Sequence, residues 1–185
     1  MTNRPNHIHT QHFKTKFAEF ILGSFDGKLC MLDYRYRRMR KTIDHRLQSG
    51  FDAVYVEQDD EVLKQTRKQL AEYFDMKRQK FDIPIITTGT PFQKNVWKVL
   101  CEVPYGSTST YGQLAKDIGN PKAVRAVASA NGANCIGIII PCHRIIGQDG
   151  ELVGFAGGLA LKKRLLKLEN NLFATPRQTN INTNL

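Results

Sequence analysis

At 185 residues the chain is long enough for a sizeable core, as one domain or two small ones. A net charge of +10 and a pI near 9.6 favour an acidic partner, nucleic acid ahead of a membrane surface, yet residues 1–89 (16 Lys/Arg against 12 Asp/Glu) and 90–172 (10 against 5) share the excess. Four cysteines without CxxC spacing exclude a zinc knuckle or a disulfide framework, no apolar run approaches the ~18 residues of a membrane span, and no apolar leader opens the chain, so a reducing, cytoplasmic setting is expected.

Residues 1–14, with His7, His9 and His12, read as a loose, disordered polar arm rather than a metal site. Phe17 to Ser24 and Leu29 to Tyr34 read as strands joined by an Asp26-Gly27 turn. The basic and aromatic stretch Tyr34 to Lys41 suits either a phosphate-tracking surface or a solvated edge strand whose charges block pairing, and the second is favoured. Ala53 to Glu57 is a short strand, Asp60 to Phe74 an amphipathic helix and Phe81 to Ile86 a further strand. Thr87-Thr88-Gly89 is a small polar boundary, which gives domains at 15–88 and 89–173 and a disordered tail at 174–185.

Past that boundary the signals sharpen. Thr90 can cap a helix with Pro91 at its first position, and Phe92, Val96, Val99 and Leu100 form its apolar stripe. Thr110 to Gln113 has capping-box spacing and opens a second helix that Gly119 ends. Asn120-Pro121 then starts a third across a tight turn, and together they form a helix-turn-helix. Its exposed face, Lys122, Arg125, Ala126 and Ser129, is small apart from two cations, while Val124, Val127 and Ala128 face the core. Such a face suits close approach to a groove and insertion of one side chain rather than base reading.

Ile136 to Ile140 is a β-branched run that reads as a buried strand, ended by Pro141. Cys142, His143 and Arg144 follow at its mouth, a thiol, an imidazole and a guanidinium in succession. In an extended segment His143 points away from Cys142, so a bridging water is the easier proton path. Gly154 to Gly158 is a glycine-dense loop that lets backbone approach a flat ligand, and a helix from about Leu159 to Asn170 carries Leu161, Leu165 and Leu168 inward and one carboxylate, Glu169.

Thr110 to Ala115, Gly119 to Val127, Asn131 to Asn134, Ile140 to Ile145 and Gly154 to Leu159 resemble the O6-alkylguanine-DNA alkyltransferases, in order and spacing, within a likeness that runs from about Pro91 to Leu172. The resemblance implies an α/β (α+β) chain, with a small N-terminal domain of antiparallel sheet plus helix and a mainly helical C-terminal domain. It also implies single-use DNA repair: an alkyl group moves from O6 of guanine, with O4 of thymine a further substrate, to Cys142 after the nucleotide is flipped through the minor groove. By the same likeness His143 is the base acting through water and Glu169 its orienter. Tyr111 rotates the nucleotide and donates to guanine N3, Arg125 fills the vacated space, and Asn134 ties the helix-turn-helix to the active-site segment. The Cys142 and Ile145 carbonyls accept from the exocyclic amine, the Ala156 N–H approaches O6, and Phe155 keeps an apolar wall. Ala156 stands where some members have serine, Phe155 where others have tyrosine, and Asn131 at a place that can be apolar. No metal and no cofactor are expected. The implied partner is double-stranded DNA carrying O6-alkylguanine, bound by a monomer in solution, with cooperative binding on DNA left open. A damage sensor that flips without repairing would lack Cys142, and a Cys-His hydrolase would turn over.

Overall fold

A computed structural model describes residues 6–169 of the chain. The proposed arm at residues 1–5 and the tail at 174–185 lie outside the described residues. Residues 6–14, expected to be disordered, are instead a strand, β1 (Asn6–Lys14), and an interior one. Two neighbours explain why so polar a stretch is held. It pairs antiparallel with β2 (Glu19–Phe25) and parallel with β4 (Ala53–Glu57), while Ile8 is fully buried. His9 Nδ1 lies 3.0 Å from Asp60 Oδ2.

The Asp26-Gly27 turn forms as read, with φ of 48° and 68° at its two residues, the pair of positive values that a two-residue hairpin needs. It joins β2 to β3 (Lys28–Tyr34), and the sheet order is β3-β2-β1-β4. The sheet is therefore mixed rather than antiparallel, because α1 (Arg40–Phe51) carries the chain across to β4. That helix was not foreseen. Its only buried residues are Ile43 and Leu47, one turn apart, in an otherwise polar stretch. Helix α2 (Glu61–Phe74) follows its expected bounds, since the Asp60 side chain accepts from Leu63 N–H at 2.9 Å. Phe81 to Ile86 is not a strand. Pro84 cannot donate, and the segment reaches the sheet only where Leu29 N–H donates to Pro84 O and Ile86 N–H to Leu29 O.

The second half packs α3 (Pro91–Leu100) and α4 (Tyr111–Asp117) against α5 (Val124–Gly132), with α6 (Leu159–Leu168) beyond and a two-stranded ladder of β5 (Ser109–Thr110) and β6 (Ile145–Ile146). Thr90 and Gln93 form a reciprocal capping box with Pro91 at the first turn. Gly119, at φ 79°, closes α4, and Asn120 N–H reaches back to Ala115 O. The next helix begins at Val124 and not at Pro121, so Lys122 lies in the turn before it. Val124, expected in the core, is 37% exposed.

The two halves meet along β3 and the end of α5. Leu32 N–H donates to Cys135 O and Gly137 N–H to Leu32 O, both at 2.8 Å. The Tyr34 to Lys41 stretch is neither a solvated strand nor wholly a surface. Arg37 is buried, pairs with Asp33 at 3.0 Å and donates to Asn134 O at 2.6 Å and to Gly132 O. Arg40 meets the other Asp33 oxygen at 2.6 Å, and Arg46 from α1 donates to Ala133 O at 2.9 Å. Guanidinium groups from the first half thus satisfy the carbonyls that end α5, where cations are favoured. No helix among the described residues is long and apolar enough to cross a membrane.

Asp33→Ala leaves Arg37 buried without its counter-charge, and is expected to cost about 3–5 kcal/mol in urea unfolding. A loss below ~1 kcal/mol would show that the seam does not depend on this pair.

Candidate active site

The segment that carries Cys142 is a tight turn, and the expected buried strand is absent. Ile136 touches β3, the chain reverses through Ile138, and Ile140 N–H returns to Ile136 O at 2.9 Å. Ile138 sits at φ 70° while almost fully buried, a left-handed conformation that a β-branched residue adopts only under constraint. Asn134 supplies much of that constraint. Its amide nitrogen donates to Ile140 O and its amide oxygen accepts from Ile136 N–H, each at 2.9 Å, so one side chain replaces a strand ladder. Cys142 to Arg144 then form a single 3-10 turn, which displaces the extended geometry assumed from Pro141.

Cys142 is 5% exposed. Burial pushes its thiol above the ordinary cysteine range, against the pull of Asn134, Arg37 and Lys162, which favours the protonated form. His143 and Glu169 are buried behind it. The Nε2–H of His143 donates to Glu169 Oε1 at 2.8 Å, because a carboxylate can only accept. The neutral ring then keeps its lone pair on Nδ1, and Nδ1 is buried without a partner among the described residues. Burial holds the imidazole below its ordinary range and outweighs the attraction of Glu169.

Glu169 is the most heavily bonded carboxylate of the site. Besides His143 it accepts from Arg144 Nε and Nη2 at 2.8 and 2.9 Å, from Tyr73 Oη at 2.7 Å and from Gly106 N–H at 3.3 Å. Burial alone would raise its pKa, yet the bonds from His143 and Arg144 hold it well below the ordinary carboxylate range. The turn after α3 closes around it: Gly106 has φ 74°, and a Cβ there would lie 2.9 Å from Glu169 O. Arg144 ties the active-site turn to the loop after α3 as well, with Nη1 donating to Val103 O at 2.7 Å.

A cavity of about 440 Å³ opens in front of Cys142, lined in part by Tyr111, Asn131, Gly154, Phe155 and Ala156. Phe155 packs edge-on against Tyr34 at 5.3 Å, and a Cβ at Gly157 would meet the Tyr34 ring at 3.0 Å, so the glycine loop can lie on this tyrosine only as glycine. Lys162, fully buried and lowered by burial to about 8, fixes the loop by donating to Val153 O at 2.8 Å and to Ile145 O. The two carbonyls assigned to a ligand amine are thus already engaged, Ile145 O by Lys162 and Cys142 O by Ile145 N–H, each with a second lone pair left. Ala156 N–H has no acceptor among the described residues. Lys122, Arg125, Ala126 and Ser129 are exposed on the neighbouring helix-turn-helix, outside the cavity.

The roles of Tyr73, Lys162 and Arg37 were not legible in the sequence: Tyr73 and Arg37 act on partners 96 and 95–97 residues away, and Arg37 and Lys162 stand among other cations that do not share their burial.

The family described as "6-O-methylguanine DNA methyltransferase, DNA binding domain" matches residues 91–171. The chain is 55% identical over 108 residues to a methylated-DNA–protein-cysteine methyltransferase of Methanosarcina barkeri, over 58% of this chain and 68% of that one. Among solved structures it is similar to the Mycobacterium tuberculosis O6-methylguanine methyltransferase, with TM-score 0.74 at 34% identity over 88% of this chain and 92% of that one. It is similar also to the same organism's OGT in complex with DNA, with TM-score 0.75 at 36% identity and the same coverage.

The depressed Glu169 carboxyl has a consequence for acid stability. Its folded pKa lies below the unfolded value of about 4.3, so its contribution is complete above that value and is lost as pH falls from about 5 toward the folded value. Glu169→Gln is expected to be less stable at pH 7 by about 2–4 kcal/mol and to show a shallower loss between pH 5 and 3. Equal acid slopes for the two proteins would contradict the carboxylate's role.

Proposed function

The chain belongs to the methylated-DNA–protein-cysteine methyltransferases, and from that premise we propose how its own residues carry out the transfer. It repairs DNA by taking an alkyl group from a damaged base onto one of its own cysteines. The observation that supports the assignment of residues is the placing of Cys142 on the cavity wall, with a neutral imidazole behind it whose free nitrogen has no partner among the described residues.

Cys142 Sγ attacks the saturated carbon on O6 of guanine. The S–C bond forms as the C–O6 bond breaks, and the electron pair leaves on the base. The thiol proton passes through one bridging water to His143 Nδ1, and the resulting imidazolium is stabilised by Glu169. The same proton returns to the base, so charge balances. The thioether has no chemical route back, and each molecule acts once. A buried thiol that holds its proton at rest is protected from adventitious oxidation, and it becomes nucleophilic only when the base relay operates.

The base reaches Cys142 by leaving the duplex through the minor groove. Tyr111 lines the cavity and meets the base at N3, Ala156 N–H donates to O6, and Phe155 supplies the apolar wall. On the helix face Arg125 fills the space vacated, with Ala126 and Ser129 small enough for close approach and Lys122 on the backbone. O4-alkylthymine fits the same chemistry. The domain division at residue 89 stands as part of this reading, with the first domain extended back to Asn6. Four free thiols suit a reducing, intracellular setting.

Methyl removal from a methylated duplex should stop at one equivalent per protein, and Cys142→Ala should remove none. Continued turnover would refute the single-use mechanism. Arg125→Ala should slow repair of duplex by ten-fold or more and leave reaction with free O6-alkylguanine within about two-fold. Equal losses on both would refute the duplex-filling role. Because burial holds His143 below the ordinary imidazole range, it remains an unprotonated base at neutral pH, and the repair rate should hold through neutrality and fall only in acid. A rate already declining between pH 8 and 7 would contradict a neutral imidazole.

A further inference from the structure

Part of the cavity wall comes from the first half of the chain. Arg37, Arg38 and Met39, between β3 and α1, line it beside Asn131 and Gly132 at the end of α5. The backbone here is fixed in place. Arg37 is buried, held by Asp33, and grips Gly132 O and Asn134 O.

Arg38 is the next residue, and its circumstances are different. Its side chain is exposed, and it has no carboxylate, carbonyl or ring partner among the described residues. The arginines around it are all engaged: Arg35 with Glu19, Arg37 and Arg40 with Asp33, Arg46 with Ala133 O. The space beside it is open, since a Cβ added to Gly132 would meet nothing within 4 Å. A free guanidinium is thus carried on a pinned backbone at the mouth of the base cavity, next to the helix that bears Arg125.

A nucleotide whose base enters this cavity must leave its sugar and flanking phosphates at the mouth. A guanidinium matches a phosphodiester in charge and in its paired donors, and an unengaged one has no partner to give up first. We propose that Arg38 binds a backbone phosphate flanking the extruded alkylguanine, so that the N-terminal half takes a direct part in holding the flipped nucleotide. The proposal rests on the alkyl-transfer reading above. Arg37 is the positioning residue behind it, and Met39, 51% exposed on the same wall, covers the sugar.

The test compares wild type, Arg38→Ala and Arg38→Lys in the rate of Cys142 methylation by a duplex carrying O6-methylguanine, across a salt series, and by the free alkylated base. Arg38→Ala should lose about ten-fold on duplex, its log–log salt slope should be shallower by about 0.9, the value for one phosphate contact, and its rate on free base should stay within two-fold. Arg38→Lys should keep most of the duplex rate. Duplexes with single methylphosphonates, whose linkage is uncharged, at positions flanking the lesion should slow wild type at one position and leave Arg38→Ala unaffected there. An unchanged duplex rate and salt slope in Arg38→Ala would overturn the proposal. So would an equal loss on free base, which would make Arg38 structural, or wild type indifferent to every neutral linkage. Failure of the underlying reading looks different: wild-type Cys142 would remain unmethylated by the intact duplex.

Discussion

One buried carboxylate organises the candidate active site. Glu169 ends α6, yet it is bonded by His143 and Arg144 from the active-site turn, by Tyr73 from α2 and by Gly106 from the loop after α3. An ionised group so deeply buried survives only if its lone pairs are filled, and here they are filled by donors from three separate pieces of chain. The same bonds decide the chemistry. By accepting from the Nε2–H of His143, Glu169 fixes the tautomer and leaves the Nδ1 lone pair without a partner among the described residues, which is what the proposed proton path requires.

The first half of the molecule is therefore more than an appendage. Tyr73 reaches the Glu169 carboxylate, Arg37 and Arg46 hold the carbonyls at the end of α5, and β3 bonds directly to the turn that precedes Cys142. Tyr34 supports the glycine loop from below. Ile138, strained and buried, is what a backbone looks like when these attachments and the Asn134 amide together determine it. Conformational freedom at Cys142 is removed before any substrate arrives, which favours a reaction that depends on alignment.

Local signals were legible in the sequence where local chemistry decides the outcome. Thr90-Pro91, Thr110, Asp60, Gly119 and Asp26-Gly27 each act within a few residues, and each element begins or ends where they say. Elements set by distant partners were not legible. β1 is polar and is made a strand by its two neighbours, and α1 shows only Ile43 and Leu47 to the core. The apolar run before Cys142 announced burial correctly but not conformation, because periodicity cannot separate a buried strand from a buried turn. Cys142, His143 and Arg144 stood out by being adjacent. The partnership of His143 with Glu169, 26 residues on, came from family resemblance, and Lys162 looked like one more surface lysine on a basic helix.

The account stands or falls on where the alkyl group ends up. Protein incubated with an equimolar methylated duplex, then digested and sequenced by fragmentation of its peptides, should carry one methyl group on Cys142 and none on Cys30, Cys101 or Cys135. A restored duplex with Cys142 still unmodified would contradict it.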